Sequence, residues 1–564
     1  MLLRARLVIT ALMLGCLWSA TARADVDFGL LDQHGKFHQL SRYAANAAVV
    51  LMSWSADDPD AAKAGDDLLA LQQQFADQGV VVWLLDASDD VRQMRAMADQ
   101  LPALPVLLDG SQTVAKTLEI SVLGEMLILD PASRSIVFRN VNSVSALEPA
   151  LTEWVAAKRA GRPVRYEVPA DSPSGTPLVY RFREQFAGRQ ISYQNEIVPL
   201  LRKRCAFCHV ENGLAPWAMN RHLMVLGWSP MMRETVITRR MPPGQIDNAV
   251  GNWENTHELS DEDMALLIEW IDQRAPRDGE EDPLTEPLPE APEWSMGQPD
   301  LVVDVPEQQI PPTGNVDFLV KRVSLDLDQD QWIRAVSYKV GDKSVLHSLL
   351  VYAVDSDLQT TDPDALIASD NAEFISVYVP GETDDVFAED AGFLLQANKD
   401  LVFKLRYLTS GRETVDRTQL GLYFHNSTPQ RELHTLALEK QALNIPAGQR
   451  QHTEEVMSEP TSENMWLTSY SPHAHSRGST MTLSVIYPDQ TEELLVNVAN
   501  FNYNWQLAYR LREPKQIPAG SRFRATTIYD NSEANPFNPA PDRPVTQGYR
   551  FDSEMLSHFI RLMK

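Results

Sequence analysis

The chain has 564 residues, long enough for about three or four domains of ordinary size. Hydrophobic residues make up 44% and charged residues 23%, with 36 Pro and 26 Gly, a globular composition that excludes collagen, coiled coil and bulk disorder. Fifty Lys and Arg against 77 Asp and Glu give a net charge of −27, so no basic face large enough for nucleic acid is expected.

Residues 1–24 read as a secretory signal peptide: Arg4 and Arg6 open it, Leu7–Leu14 form an apolar core, and Ala22-Arg23-Ala24 offers a cleavage site. Cleavage there removes three Arg from a net charge of −27 and leaves −30. A lipoprotein signal anchored at Cys16 is the rival reading, disfavoured because the apolar run continues through Leu17 and Trp18. No other stretch approaches the ~18 apolar residues that a transmembrane helix needs. The expectation is an exported, soluble, periplasmic protein. Past the signal only Cys205 and Cys208 remain of the three Cys, too few for a disulfide framework.

Residues 25–160 alternate strand and helix. Buried β runs are expected at Ala48–Trp54, Val80–Leu85, Pro105–Leu108, Glu125–Leu129 and Ser135–Phe138, with Ala64, Leu68, Leu71 and Phe75 at helical spacing between the first two. This order, with the opening Phe28-Gly-Leu-Leu-Asp-Gln-His-Gly-Lys36, resembles the thioredoxin/peroxiredoxin-like α/β fold. The loop Ser55-Ala-Asp-Asp-Pro-Asp60 has no Cys where that family carries its redox pair, and Ser121-Val-Leu-Gly124 lacks its cis-Pro. Thiol chemistry needs a thiolate, so a scaffold or docking role is expected.

Residues 161–275 are Arg- and Met-rich and read as mostly helical. Cys205-Ala-Phe-Cys208-His209 is the attachment signature of haem c: two thioethers fix the porphyrin, and the adjacent His reaches the iron. A stray thiol pair or a redox CxxC is the alternative. Among several Met downstream, Met241, stiffened by Pro242-Pro243, is the candidate sixth ligand. The segment Arg239–Pro243 resembles the distal-Met loop of cytochrome c modules fused to copper monooxygenase-like domains.

Residues 276–312 form a Pro-rich acidic linker, and from about Leu301 short alternating strands such as Thr480–Tyr487 and Arg522–Tyr529 predict two all-β sandwich (jelly-roll) domains, 301–430 and 431–564. Ser471-Pro-His473-Ala-His475-Ser-Arg-Gly478 places two His at i and i+2, on one face if the segment is a strand. From there to Met555 the chain resembles the catalytic half of the copper type II, ascorbate-dependent monooxygenases, the matching stretches being Phe501-Asn-Tyr-Asn-Trp505-Gln, Tyr509-Arg-Leu, Ile528-Tyr-Asp-Asn-Ser532 and Phe551-Asp-Ser-Glu-Met555. The resemblance implies a copper held by His473, His475 and Met555; imidazole and thioether suit a copper that must meet O2.

The preceding half resembles the same family through Trp332–Val336, His347–Tyr352 and Asp416–Tyr423. It departs from the family where the second, electron-supplying copper should sit. Leu346-His347 stands for a His-His pair and Arg406-Tyr407 for the later His, so His347 is the one ligand left. His425 and His434 are more simply structural residues than a rebuilt site. The resulting expectation is a copper- and haem c-containing monooxygenase acting on O2 and an unknown organic substrate, with the haem as electron donor. The alternative is a non-catalytic electron-transfer or assembly subunit beside a redox partner or an intact paralogous monooxygenase.

Overall fold

The computed structural model describes residues 26–564 except 88–90, 97, 99–102, 142, 164–174, 212, 214, 244, 245, 287–291, 369, 370, 441, 549 and 551. The expected signal peptide and Cys16 lie outside the described residues.

The amino-terminal unit opens with a hairpin, β1 (Gly29–Leu31) and β2 (Phe37–Gln39). It continues through β3 (Ala48–Trp54), α1 (Pro59–Phe75), β4 (Val80–Asp86), α2 (Val91–Ala96), β5 (Val106–Leu108), α3 (Thr113–Thr117), β6 (Glu125–Asp130), β7 (Ser135–Val141) and α4 (Val144–Arg159). The main sheet runs β5-β4-β3-β6-β7, parallel from β5 to β3 and antiparallel beyond. All seven residues of β3 are buried, as a central strand covered on both faces requires. Leu68, Leu71 and Phe75 of α1 pack on one side of it with Trp154 and Val155 of α4. This is the thioredoxin-like α/β arrangement expected from the sequence.

Four longer helical segments follow: α5 (Arg181–Phe186), α6 (Val198–Arg204), α7 (His222–Ile237) and α8 (Asp261–Asp272). Their core is continuous with one face of the amino-terminal sheet. The acidic, Pro-rich segment after them, expected as a linker, packs on its neighbours at two points. Leu284 is buried in the helical core, Trp294 is buried, and Gly421 lies where an added Cβ would strike the Trp294 ring. Among its described residues, Leu284 and Trp294 are the apolar side chains that anchor it.

The β region contains β8 (Leu301–Asp304), β9 (Gln308–Ile310), β10 (Leu319–Val323), β11 (Gln331–Lys339), β12 (Leu346–Asp355), a turn of helix α9 (Pro363–Leu366), β13 (Ala372–Tyr378), β14 (Asp384–Val386), β15 (Ala391–Leu395), β16 (Lys399–Tyr407), β17 (Thr414–Asp416), β18 (Gln419–Phe424) and β19 (Arg431–Glu439). It continues with β20 (Asn444–Ile445), β21 (His452–Met457), β22 (Met465–His473), β23 (Gly478–Ile486), β24 (Glu492–Val498), β25 (Tyr509–Ile517), β26 (Arg522–Tyr529), β27 (Val545–Thr546) and β28 (Ser557–Met563). One long sheet, β25-β22-β28-β19-β15-β11-β18-β8, passes through both halves. Two four-stranded sheets cover its ends: β10-β16-β12-β13 closes the first sandwich core and β21-β26-β23-β24 the second. The seam near residue 430 is a parallel pairing of β15 with β19, Ala391 opposite Arg431 and Gly392 opposite Glu432.

The three regions are stitched together. Asn497 of β24 donates from Nδ2 to the Gly35 carbonyl at 2.9 Å, while its own carbonyl accepts from Asp247 N at 2.8 Å. Arg42 of the amino-terminal unit donates to Asn500 Oδ1 at 2.7 Å. At the start of β25, Glu254 N donates to Arg510 O, and just before it Asn255 Nδ2 donates to Ala508 O.

Candidate functional site

His473 ends β22, and His475 lies beyond it in the turn to β23. The expectation that both imidazoles share a strand face is therefore corrected, because the strand stops before the second. The rings nonetheless meet, with centroids 5.6 Å apart and planes at 88°. Buried Glu554 brings the third residue in: its carboxylate accepts from His475 N and Arg477 N at 2.8 Å each and from Met555 N at 3.2 Å. Tyr529 OH adds a hydrogen bond to the Met555 carbonyl at 2.7 Å. Met555, just before β28, is thus fixed against the turn that carries His475.

Both imidazoles are anchored by Nδ1. His475 Nδ1 donates to the Ser553 carbonyl at 2.9 Å, and His473 Nδ1 donates to Gln506 Oε1, whose amide Nε2 is oriented by Tyr503 O at 2.8 Å. Each Nε2 therefore keeps its lone pair, and His475 Nε2 is buried with no hydrogen-bond partner. Metal-binding His is held in this way, one nitrogen fixed by a second group and the other turned to the ion. Two such nitrogens and a thioether fit copper by their chemistry.

The opposing sandwich supplies the remaining wall. In β16, Leu401, Phe403, Leu405 and Tyr407 enter the first sandwich core, so strand alternation turns Lys404 and Arg406 the other way. Lys404, 1% exposed, reaches the donor set: its Nζ lies 3.4 Å from His473 Nε2 and 3.7 Å from Met555 Sδ. Phe318 stacks on His475 at 5.4 Å and lies under the Lys404 ammonium at 4.6 Å. Burial, then Lys404, pushes the His475 pKa down to about 3 and that of His473 well below its usual value. Both rings are neutral, the form that can ligate.

His347 is 1% exposed, at an irregularity in the β12–β16 pairing, and neither ring nitrogen has a hydrogen-bond partner. Burial and the Arg406 charge hold its pKa down at about 3. His425 Nε2 bonds to the Ala391 carbonyl at 2.9 Å, and His434 lies 3.5 Å from Glu432, so neither joins His347. Among the described residues, no group of three or more His, Cys, Asp or Glu is placed to hold a metal.

The Cys205–His209 motif follows α6 and lies between two cores: Cys205 packs on the helical core, while Phe207 and Cys208 pack on that of the second sandwich. Both thiols are free, and burial pushes each up to about 12. His209 Nδ1 donates to the Trp217 carbonyl at 3.0 Å, which leaves Nε2 for an iron; Trp217 and Trp228 stack at 5.4 Å beside it. These residues fit a covalently held haem. Met241, 43% exposed with its N–H bonded to Thr235 O, follows α7, and among the described contacts none joins it to His209.

A contact chain links the two candidate centres. Phe207, between the two Cys, seats its ring on Gly381, where φ is +94° and an added Cβ would lie 2.4 Å from that ring. Its centroid is 4.5 Å from His257 and 6.2 Å from Trp505. Trp505 immediately precedes Gln506, which holds His473.

Comparison with known proteins bears on the amino-terminal unit. Residues 22–133 match the AhpC/TSA family. Over that stretch the chain is similar to thioredoxin-like, peroxiredoxin-like domains. No Cys is present within the matched stretch. A hypothetical protein from Sinorhizobium meliloti is 22% identical over 28% of this chain and 94% of its own, with a TM-score of 0.24. A peroxidoxin from Mycobacterium tuberculosis is 24% identical over 24% of this chain and 94% of its own, with a TM-score of 0.20. No curated protein matches the chain. Among the described residues, no helix is long and apolar enough to cross a membrane.

Sequence reasoning did not single out Gln506, Glu554, Lys404 or Phe318. The first two sit inside stretches that carried the family resemblance, Phe501–Gln506 and Phe551–Met555, and their adjacency to Trp505 and Met555 was the available signal. Lys404 and Phe318 had none.

Proposed function

We propose that the chain is an exported, periplasmic oxidoreductase that hydroxylates an organic substrate with O2 at a single copper held by His473, His475 and Met555. Cys205, Cys208 and His209 would hold a haem c, with Met241 as a further candidate ligand, and the haem would supply the electrons. The observation that carries this reading is the donor arrangement: two imidazoles anchored at Nδ1, one of them with a buried Nε2 left without a partner, beside the Met555 thioether. When bound, copper would supply O2 activation, and haem would supply one electron at a time.

The protein's own residues do the positioning. Gln506 and the Ser553 carbonyl fix both imidazole tautomers, and Glu554 ties the His475 turn to Met555. Phe318 covers His475 from the first sandwich and keeps water off it. Phe207 and Trp505 give the haem-attachment loop a packed aromatic route to the residue that holds His473. The AhpC/TSA-like domain, without Cys, docks through Arg42 and Gly35 and serves as scaffold.

A second reading, a non-catalytic electron-transfer or assembly subunit, is favoured by one observation, the Lys404 ammonium lying against two of the three donors. Metal analysis of protein matured with haem separates the two. The first reading expects one copper per chain and a haem that survives acid-acetone extraction. It also expects faster reoxidation of reduced haem by O2 in copper-loaded than in copper-free protein. Copper binding without that acceleration supports the subunit; complete extraction of the haem refutes covalent attachment.

A further inference from the structure

Lys404 is an unusual neighbour for a metal-type donor set. It belongs to the other sandwich, and the alternation that buries Phe403 and Leu405 in their own core leaves its side chain nowhere but the interface. Its ammonium points at the lone pair of His473 Nε2 and at Met555 Sδ, at 3.4 and 3.7 Å. Metal–nitrogen bonds are far shorter, about 2.0–2.1 Å for a first-row ion such as zinc. An ion bonded to both atoms would therefore enter the space into which the ammonium directs its hydrogens. Arg406, two residues on, adds a second buried cation, held by Tyr503 O at 3.0 Å and Asn504 Oδ1 at 3.3 Å. Charges at such separations repel strongly when water is excluded.

We propose that Lys404 is the built-in competitor for copper at this site: its ammonium occupies the His473–Met555 donors, copper binds only by displacing it, and Lys404 therefore determines the copper affinity. This rests on the reading of His473, His475 and Met555 as copper donors. Displacement is a ligand exchange without electron transfer. Two donor atoms give up N–H contacts and take a metal bond, and the ammonium turns away with its charge and protons unchanged. The displaced side chain can settle over the Phe318 ring, which it already overlies at 4.6 Å.

The test is a Cu(I) titration of the full-length, haem-loaded protein against a competing chelator, for the natural chain and for Lys404→Met, Lys404→Gln and Lys404→Arg. Thermal unfolding of each variant checks its fold, and Met and Gln guard against a folding failure of either alone. Lys404→Met and Lys404→Gln are expected to bind one copper on the order of 100-fold more tightly than the natural chain, because the repulsion is gone. Lys404→Arg should keep the affinity of the natural chain, and Lys404→Met with His473→Ala should lose the gain. After oxidation, the electron paramagnetic resonance of the Lys404→Met copper should show nitrogen coupling from imidazole. Tight binding by the natural chain with no gain in either neutral variant overturns the competitor role and leaves the donor reading standing. Failure of every folded variant to bind copper overturns the donor reading, and the inference with it.

Discussion

The two sandwiches share one sheet and one scheme of strand alternation, yet they bring opposite chemistry to their common interface. The first turns Lys404, Arg406 and His347 toward it; the second turns His473, His475 and Met555. The first set brings two cations and an imidazole that burial, and then the Arg406 charge, holds down at about 3. The second is neutral, and its ring orientation is fixed from behind by Gln506 and Ser553. Donor identity alone therefore does not define a metal site. His347 is as buried as His473, but among the described residues no group of His, Cys, Asp or Glu gathers around it to hold a metal.

The sharpest way to break this comparison is to remove one imidazole from each side. His473→Ala or His475→Ala should abolish copper retention on desalting, whereas His347→Ala should leave copper content unchanged; equal losses would erase the distinction. Gln506→Ala keeps all three donors and frees one ring. It should weaken copper binding by about 10-fold or more, as loss of an orienting partner does elsewhere, measured by chelator competition. Trp505→Ala should slow haem-to-copper electron transfer in rapid-mixing absorbance while leaving the haem spectrum of the reduced protein unchanged.

A smaller effect contrasts the sandwiches with the AhpC/TSA-like domain, whose polar core titrates. Burial raises the Asp109 carboxyl from 3.8 to about 6, against the Ala115 N–H that favours its charged form. Below the lower value both folded and unfolded chains hold the proton. Between the two values the folded chain keeps a proton that the unfolded chain has lost, so stability falls as pH rises through that window. A tenfold difference in proton affinity between the two states is worth about 1.4 kcal/mol. Asp109→Asn should flatten that slope in thermal melts across the window; an unchanged slope would place the titration elsewhere.

How much of this was legible follows from distance along the chain. β3 and β26 run over the residues expected of them, since a buried apolar run and a strict alternation are local properties. Cys205-Ala-Phe-Cys208-His209 is contiguous and equally readable. The boundary of β22 was not, because the strand ends where Glu554, far away in sequence, captures the His475 amide. Lys404 meets its two partners across 69 and 151 residues, a proximity that only the packing of one sandwich on the other creates. The acidic segment after α8 reads as a linker by composition, yet Leu284 and Trp294 suffice to anchor it.

The shared sheet bears on where this chain can be divided. A cut at residue 430 falls between β18 and β19, and it would strip β19 of β15 and leave one side of that strand open at the seam. It would also unstack Phe559 from Phe374, whose rings lie 4.6 Å apart in a small apolar cluster between the halves. A fragment starting there would carry an unprotected strand edge beside bare aromatic surface, the combination that drives edge-to-edge aggregation. The second sandwich is therefore expected to be soluble when expressed with the first and to precipitate without it.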